Sequence, residues 1–316
     1  MNSKNTKILV VGDCILDQYL WTTVSRISPE APVPICHVQD TTYRLGGAGN
    51  VANNLSAFGV DVLISGIIGR DGNGETLEKE FNRSKINTEL LIKSNECPTI
   101  CKSRVLAKNQ QLCRLDYEDA SRNLENDRSN CLEKISPYFS EIDCLIISDY
   151  KKGVVSEHFS QSVIQSAKEH NIPVIVDPKG QQISKYSGAT FLTPNMSEFK
   201  LFADLSEDYD DKEIIDNARQ LINQFNIDNI LLTRSEKGIS IISNDRHNNY
   251  PTRAKEVADV TGAGDTVVAA IAYGVSQNWD IEDAINFANS AAGVVVSKVG
   301  TATASLDEIK DYEQNL

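Results

Sequence analysis

Ile8-Leu9-Val10-Val11 is apolar at every position and runs straight into Gly12-Asp13-Cys14. A strand with one wet face alternates apolar and polar residues, whereas one that is apolar throughout is covered on both faces. Val62 to Ile68, Cys144 to Ile147, Val174 to Val176 and Ile230 to Leu232 read the same way. Longer stretches of helical character lie between them: Asn50 to Phe58, Glu157 to His170, Asp211 to Phe225 and Ile281 to Val296. Short buried strands separated by helices predict an α/β protein, with a parallel sheet covered by helices on both sides. Ligands on such sheets bind past the carboxyl ends of the strands, so the polar residues ending each run are the candidates for a site.

Two regions depart from this pattern. Asp17 to Asp40 and Pro98 to Glu118 are rich in β-formers and carry no helix of their own. They are expected to pair into a small accessory sheet over the site. Exposed on one face, such a sheet is also a place for two subunits to meet.

Composition excludes several classes. Hydrophobic residues make up 41% and charged residues 24%, as in ordinary soluble globular proteins. Lysine and arginine number 31 against 44 acids, a net charge of −13. General nucleic-acid binding needs a basic face and is not expected. No apolar run approaches the roughly 18 residues of a membrane span, and the opening Met1 to Lys7 leads into too short an apolar stretch for a secretory signal. Seven scattered cysteines predict reduced thiols in a cytoplasmic protein. Cys97, Cys101 and Cys113 lack a second pair at zinc spacing and read as structural.

The chemistry concentrates in Asp259-Val260-Thr261-Gly262-Ala263-Gly264-Asp265, followed by the apolar run Thr266 to Ala272. Small residues let an anion approach the amides at the start of a helix, where orphan N–H groups and the dipole favour negative charge. Asp265 on the first turn can take a proton from a hydroxyl. The segment thus offers an anion hole beside a general base, which suits phosphoryl transfer to an alcohol; the bland alternative is a tight turn with an acidic helix start. Gly46-Gly47-Ala48-Gly49-Asn50 opens another helix but lacks the spacing of a dinucleotide fingerprint. Asn195 and Glu198, three apart in Asn195-Met196-Ser197-Glu198, share a helical face where they could hold a hydrated Mg²⁺. Asp17, Asp149 and Lys152, Lys179, and Thr233 with Ser235 and Gly238 follow other strands.

Together these stretches resemble the ribokinase-like (PfkB-type) carbohydrate kinases across nearly the whole chain. The resemblance implies a three-layer α/β/α sandwich with a mainly parallel central sheet and a small β-sheet lid. It reads as a single domain over 1–316, with lid segments at about 17–42 and 98–118. Arg26 to Pro34, Asn109 to Asp116 and Leu192 to Asn195 resemble the D-glycero-β-D-manno-heptose-7-phosphate kinases. No nucleotidyltransferase segment follows before Leu316, so the chain resembles the kinase-only form. The implied roles are Asp265 as base, with the amides of Gly262, Ala263 and Gly264 stabilising the transferring group. Asp17, Gly46, Gly47, Asn50 and Asp149 would bind the sugar. ATP would be bound by Asn195, Met196, Ser197, Glu198, Thr233, Ser235, Gly238, Gly262, Gly264 and Asn289, and Mg²⁺ by Asn195 and Glu198 through water. Arg104, Arg114, Lys152 and Lys179 are the candidates for the substrate phosphate, with Arg104 and Lys152 favoured. A homodimer through the lid is the expected assembly. Another sugar kinase of the same fold, or a non-catalytic sugar or nucleotide sensor, are the alternatives.

Overall fold

A computed structural model of the protein describes residues 6–108, 110–119, 123–254, 256–298 and 300–315. Asn109 of the second lid segment, the opening Met1 to Asn5 and the closing Leu316 lie outside these. In chain order the elements are β1 (Lys7–Gly12), β2 (Cys14–Ile27), β3 (Pro34–Gly47), α1 (Ala48–Ala57), β4 (Asp61–Ser65), β5 (Ile67–Gly69), α2 (Gly72–Arg83), β6 (Ile92–Ser94), β7 (Cys101–Ala107), β8 (Gln110–Tyr117), α3 (Glu125–Ile135), β9 (Cys144–Ser148), α4 (Glu157–Glu169), β10 (Val174–Asp177), β11 (Phe191–Leu192), α5 (Met196–Phe202), α6 (Asp211–Phe225), β12 (Asn229–Thr233), β13 (Ile239–Ile242), β14 (His247–Tyr250), α7 (Ala263–Ser276), α8 (Ile281–Val296) and α9 (Leu306–Gln314).

The central sheet runs β14-β13-β12-β11-β10-β9-β1-β4. Its six strands from β12 to β4 are parallel, and β13 and β14 add an antiparallel hairpin at one edge. Successive side chains of the parallel strands feed opposite cores. Ile8 and Val10 pack with α1, α7 and α8, whereas Leu9 and Val11 pack with α4 and α6. This is the α/β/α layering expected of strands apolar at every position. The chain winds outward in both directions from β1 and β9, so the crevice beyond their carboxyl ends is the switch point where such sheets bind ligands.

In the small sheet, ordered β3-β2-β7-β8, the first arm begins earlier and ends later than the expected 17–42, whereas the second, β7 and β8, lies within the expected 98–118. β2 starts at Cys14 and β3 continues to Gly47, so Asp17 belongs to this sheet and not to the end of the first central strand. Gly46 and Gly47 likewise close a strand, and α1 already begins at Ala48. Val62 to Ile68, expected as one strand, divides at Gly66, where β4 leaves the central sheet and β5 pairs with β6. A Cβ at Gly66 would lie 2.6 Å from the Gly12 carbonyl oxygen, so only glycine lets the chain cross the end of β1 so closely.

Candidate active site

α7 begins without a side-chain cap. Gly262, its N-cap, has φ of +81°, in the left-handed region, and a Cβ there would sit 2.7 Å from Asn50 Nδ2. The three expected amides do not all face one way, because the Ala263 N–H donates to the Val260 carbonyl at 3.2 Å. The N–H groups of Gly264 and Asp265 have no partner among the described residues, and a Cβ on Gly264 would meet nothing within 4 Å. The missing side chain at 264 therefore leaves open space directly against free amides at a helix N-terminus.

Asp265 is 7% exposed. Its Oδ1 accepts the Tyr150 hydroxyl at 2.6 Å and its Oδ2 accepts Asn50 Nδ2 at 2.5 Å. Burial pushes its pKa up to about 6, the hydrogen bonds from Tyr150 and Asn50 hold the rise in check, and the charge of Asp17 adds to it. The carboxyl lines a cavity of about 160 Å³. Tyr150, Asp177, Lys179, Thr193, Asn195, Glu198, Thr233, Gly262 and Gly264 complete much of its wall, so the ends of β9 to β12 converge on the start of α7. Thr266 Oγ1 donates to Asn54 Oδ1 at 3.0 Å, tying α7 to α1.

The loop after β9 is folded around an acid from the end of β1. Asp13 is buried, and its carboxylate accepts the N–H groups of Tyr150 and Lys152 at 2.9 Å each and of Val154 at 3.1 Å. Those bonds fix where Tyr150 enters the cavity. Asp149 accepts the Tyr186 hydroxyl and the Lys151 N–H at 2.6 Å each and pairs with the buried Lys185, so donors of its own chain already engage its carboxylate. Asp177 stands at the end of β10 with its pKa raised well above the ordinary value by burial and by the charges of Asp265 and Glu198.

Asn195 and Glu198 form a reciprocal capping box at the start of α5. Asn195 Oδ1 accepts the Glu198 N–H and Glu198 Oε2 accepts the Asn195 N–H, both at 2.9 Å. Glu198 Oε1 takes Lys179 Nζ at 2.6 Å. Of the two residues between them, Ser197 is exposed and Met196 packs against the core beneath.

A family model described as pfkB family carbohydrate kinase matches residues 5–309. The chain belongs to the pfkB family of carbohydrate kinases. It is 43% identical over 309 residues to the bifunctional protein HldE of Pasteurella multocida, and 42% identical over 312 residues to that of Helicobacter hepaticus. The chain spans 63% and 64% of the length of those two relatives, which cover 98% and 99% of it. Among solved structures, Escherichia coli phosphofructokinase-2 in complex with potassium aligns over 98% of this chain and 99% of its own, with TM-score 0.80 at 18% identity. Arabidopsis thaliana ribokinase complexed with ribose and ATP aligns over the same shares, with TM-score 0.75 at 17% identity. The protein is thus a sugar phosphotransferase of ribokinase-like fold.

Other expected residues of this kinase lie around the cavity or away from it. Asp17 pairs with Arg104 at 2.5 Å on the small sheet, and a Cβ on Gly46 would lie 2.6 Å from the same carboxylate. A Cβ on Gly47 would meet the Asp13 carbonyl oxygen at 2.3 Å, so this glycine is required by chain crossing. The four candidate cations all hold carboxylates: Arg104 with Asp17, Lys179 with Glu198, Lys152 with Glu118 at 2.6 Å, and Arg114 with Asp116 at 2.7 Å. Thr233 lines the cavity, but Ser235, Gly238 and Asn289 do not. Gly238 lies against Tyr250, Pro251 and Thr252, and Asn289 Nδ2 donates to the carbonyls of Tyr250 and Pro251 at 3.3 Å, so both brace one segment beside the β13–β14 hairpin. Sequence reading passed over Asp13, Tyr150 and Asp177 as strand-end residues without giving them tasks. Asp13 and Tyr150 owe theirs to partners more than a hundred residues away.

Proposed function

We propose that this kinase transfers the γ-phosphoryl group of ATP to the anomeric hydroxyl of D-glycero-β-D-manno-heptose 7-phosphate, giving the 1,7-bisphosphate and ADP. The observation that carries this reading is Asp265, its carboxyl turned into the cavity beside the unpartnered amides of Gly264 and Asp265 itself. Asp265 takes the hydroxyl proton as the sugar oxygen attacks phosphorus; the bond to the bridging oxygen breaks and ADP departs with its electron pair. The amides stabilise charge on the phosphoryl oxygens in transit. The heptose assignment is supported by the likeness to the HldE proteins and by the segments noted at Arg26 to Pro34 and Leu192 to Asn195. Arg104, on the small sheet beside Asp17, is suited to exchange its carboxylate partner for the sugar phosphate.

Among the described residues no three ligand-type side chains cluster closely enough to grip a metal ion directly. Asn195 and Glu198 spend their first interactions on the cap and on Lys179, which fits contact with Mg²⁺ through water. Burial first, and then the charges of Asp265 and Glu198, raise the pKa of Asp177, and a cation bound in the cavity would offset those neighbouring charges. When bound with ATP, Mg²⁺ neutralises phosphate charge. We further propose that the small sheet closes over the sugar, that a second copy of the chain packs on its outer face, and that the enzyme works in the cytoplasm, where ATP is supplied. No helix among the described residues is long and apolar enough to cross a membrane.

ADP release measured across a panel of sugars tests the substrate. The heptose 7-phosphate should give the highest kcat/KM; equal or better turnover of fructose 6-phosphate or ribose would overturn the heptose assignment while leaving the kinase in place.

A further inference from the structure

Two donors reach the carboxylate of Asp265, and they come from different parts of the chain. Asn50 lies in α1 and Tyr150 in the loop beyond β9. The Asn50 amide spans the base and the sugar side: Nδ2 is spent on Asp265, and its buried Oδ1 has no partner among the described residues, leaving an acceptor for a hydroxyl. Tyr150 has no comparable second task. Its hydroxyl donates to Asp265 Oδ1 at 2.6 Å, and its backbone N–H is fixed by the Asp13 carboxylate. A phenol carried this far into a cavity wall needs a partner for its hydroxyl, whereas a phenylalanine would fill the same volume without one.

We infer that Tyr150 is a positioning residue for the phosphoryl transfer: its hydroxyl holds the Asp265 carboxylate ionised and aimed at the acceptor hydroxyl. This rests on Asp265 being the base. The charged and titratable groups around that carboxylate come from every wall of the cavity. Asp17 approaches from β2, Asp149 and Tyr150 from the loop after β9, Asp177 and Lys179 from the end of β10, and Glu198 from α5. Burial and the charge of Asp17 favour protonating Asp265; Lys179, held by Glu198, opposes this, and Arg104 and Lys185 stand against Asp17 and Asp149. A short hydrogen bond from a neutral phenol favours the ionised form. Burial and the nearby acids raise the pKa of Tyr150 itself, keeping it a donor across the working pH range.

The test compares kcat/KM against pH in the full chain, with ATP and its best sugar, for wild type, Tyr150→Phe, and protein carrying 3-fluorotyrosine at 150. Loss of the donor should move the acid limb up by about one pH unit, and the fluorinated phenol, a stronger donor of almost the same shape, should move it below wild type. ATP affinity and thermal unfolding verify that each variant folds. An acid limb that stays in place in Tyr150→Phe overturns the inference, whatever happens to the plateau. If that variant does not fold, an unmoved limb in the fluorinated protein overturns it equally. Should the wild type turn over no sugar, the kinase reading fails separately. The protonated-carboxyl infrared band that Asp265→Asn abolishes can then be titrated in the same proteins, and its midpoint must move in the same two directions.

Discussion

Asp265 is asked to be buried and ionised at once, and these demands oppose each other. Its pKa of about 6 against an unfolded value near ~4 means that folding takes up a proton between those limits. The native state binds more protons than the unfolded chain in that window, so stability falls as pH rises from about 4 to about 6 and stays lower above it. Asp265→Asn removes that penalty. The variant should therefore unfold several degrees higher than wild type at pH 8, reflecting a gain on the order of 2 kcal/mol, with the difference vanishing toward pH 4. It should also transfer phosphoryl groups at least about a hundredfold more slowly while binding ATP nearly as well. Stability scans at the two pH values and single-turnover assays check both. Unchanged turnover would remove Asp265 from the mechanism and favour a sensor over an enzyme. This residue was legible in the sequence because a glycine turn, a helix start and an acid stand within a few positions of each other. Tyr150 was not, since its partner is 115 residues away and nothing near it in sequence hints at the contact.

The sequence read α6 and α8 with the bounds they have, because their apolar stripes and flanking turns are local. It missed the break at Gly66 and the β13–β14 hairpin, where the deciding contacts are a carbonyl from β1 and the edge of an already formed sheet. Asn195 and Glu198 show how an element blurs a functional signature. The Asn-x-x-Glu spacing that suggests metal chemistry is also a capping box, and α5 uses it as one. The two uses separate experimentally. Serine is as good an N-cap as asparagine, whereas alanine costs about 1 kcal/mol. Asn195→Ser should therefore keep the wild-type melting temperature and Asn195→Ala should lower it. If the amide also orders Mg²⁺ and phosphate through water, both variants lose activity and need more Mg²⁺ for half-maximal rate. Full activity in Asn195→Ser, with only the alanine variant impaired, would reduce the motif to a cap.

At the scale of the molecule, the small sheet has two unlike faces, and strand register assigns them. Asp17, Tyr19, Lys102, Arg104, Arg114 and Asp116 share one face, where Arg104 stacks over Tyr19 and the charge of Asp17 reaches Asp265. The opposite face carries Val24, Val38, Leu115 and Tyr117, which are 40%, 55%, 44% and 51% exposed. β-Formers made the sheet visible in the sequence, but which face meets the cleft depends on pairing register and could not be read there. An apolar face on a projecting sheet is costly in water, and a second copy supplies an identical surface related by a two-fold axis, the usual way such faces are covered. On the proposed arrangement, with the polar face toward the cleft, a partner on the back of the sheet would also fix how closely Arg104 and Asp17 approach the sugar. Val38→Glu combined with Leu115→Glu places charges in the proposed contact without touching either core. Sedimentation should then give a dimer for the native chain at micromolar concentration and a monomer for the variant. In the monomer, KM for the proposed sugar phosphate should rise by about tenfold or more, since the cost of ordering the sheet falls on substrate binding, while KM for ATP should change little if, as proposed, the nucleotide is held by residues of the central sheet and not of the small one. A native chain that sediments as a monomer would refute the proposed interface, and a monomeric variant with unchanged sugar KM would confine the dimer to a role in solubility.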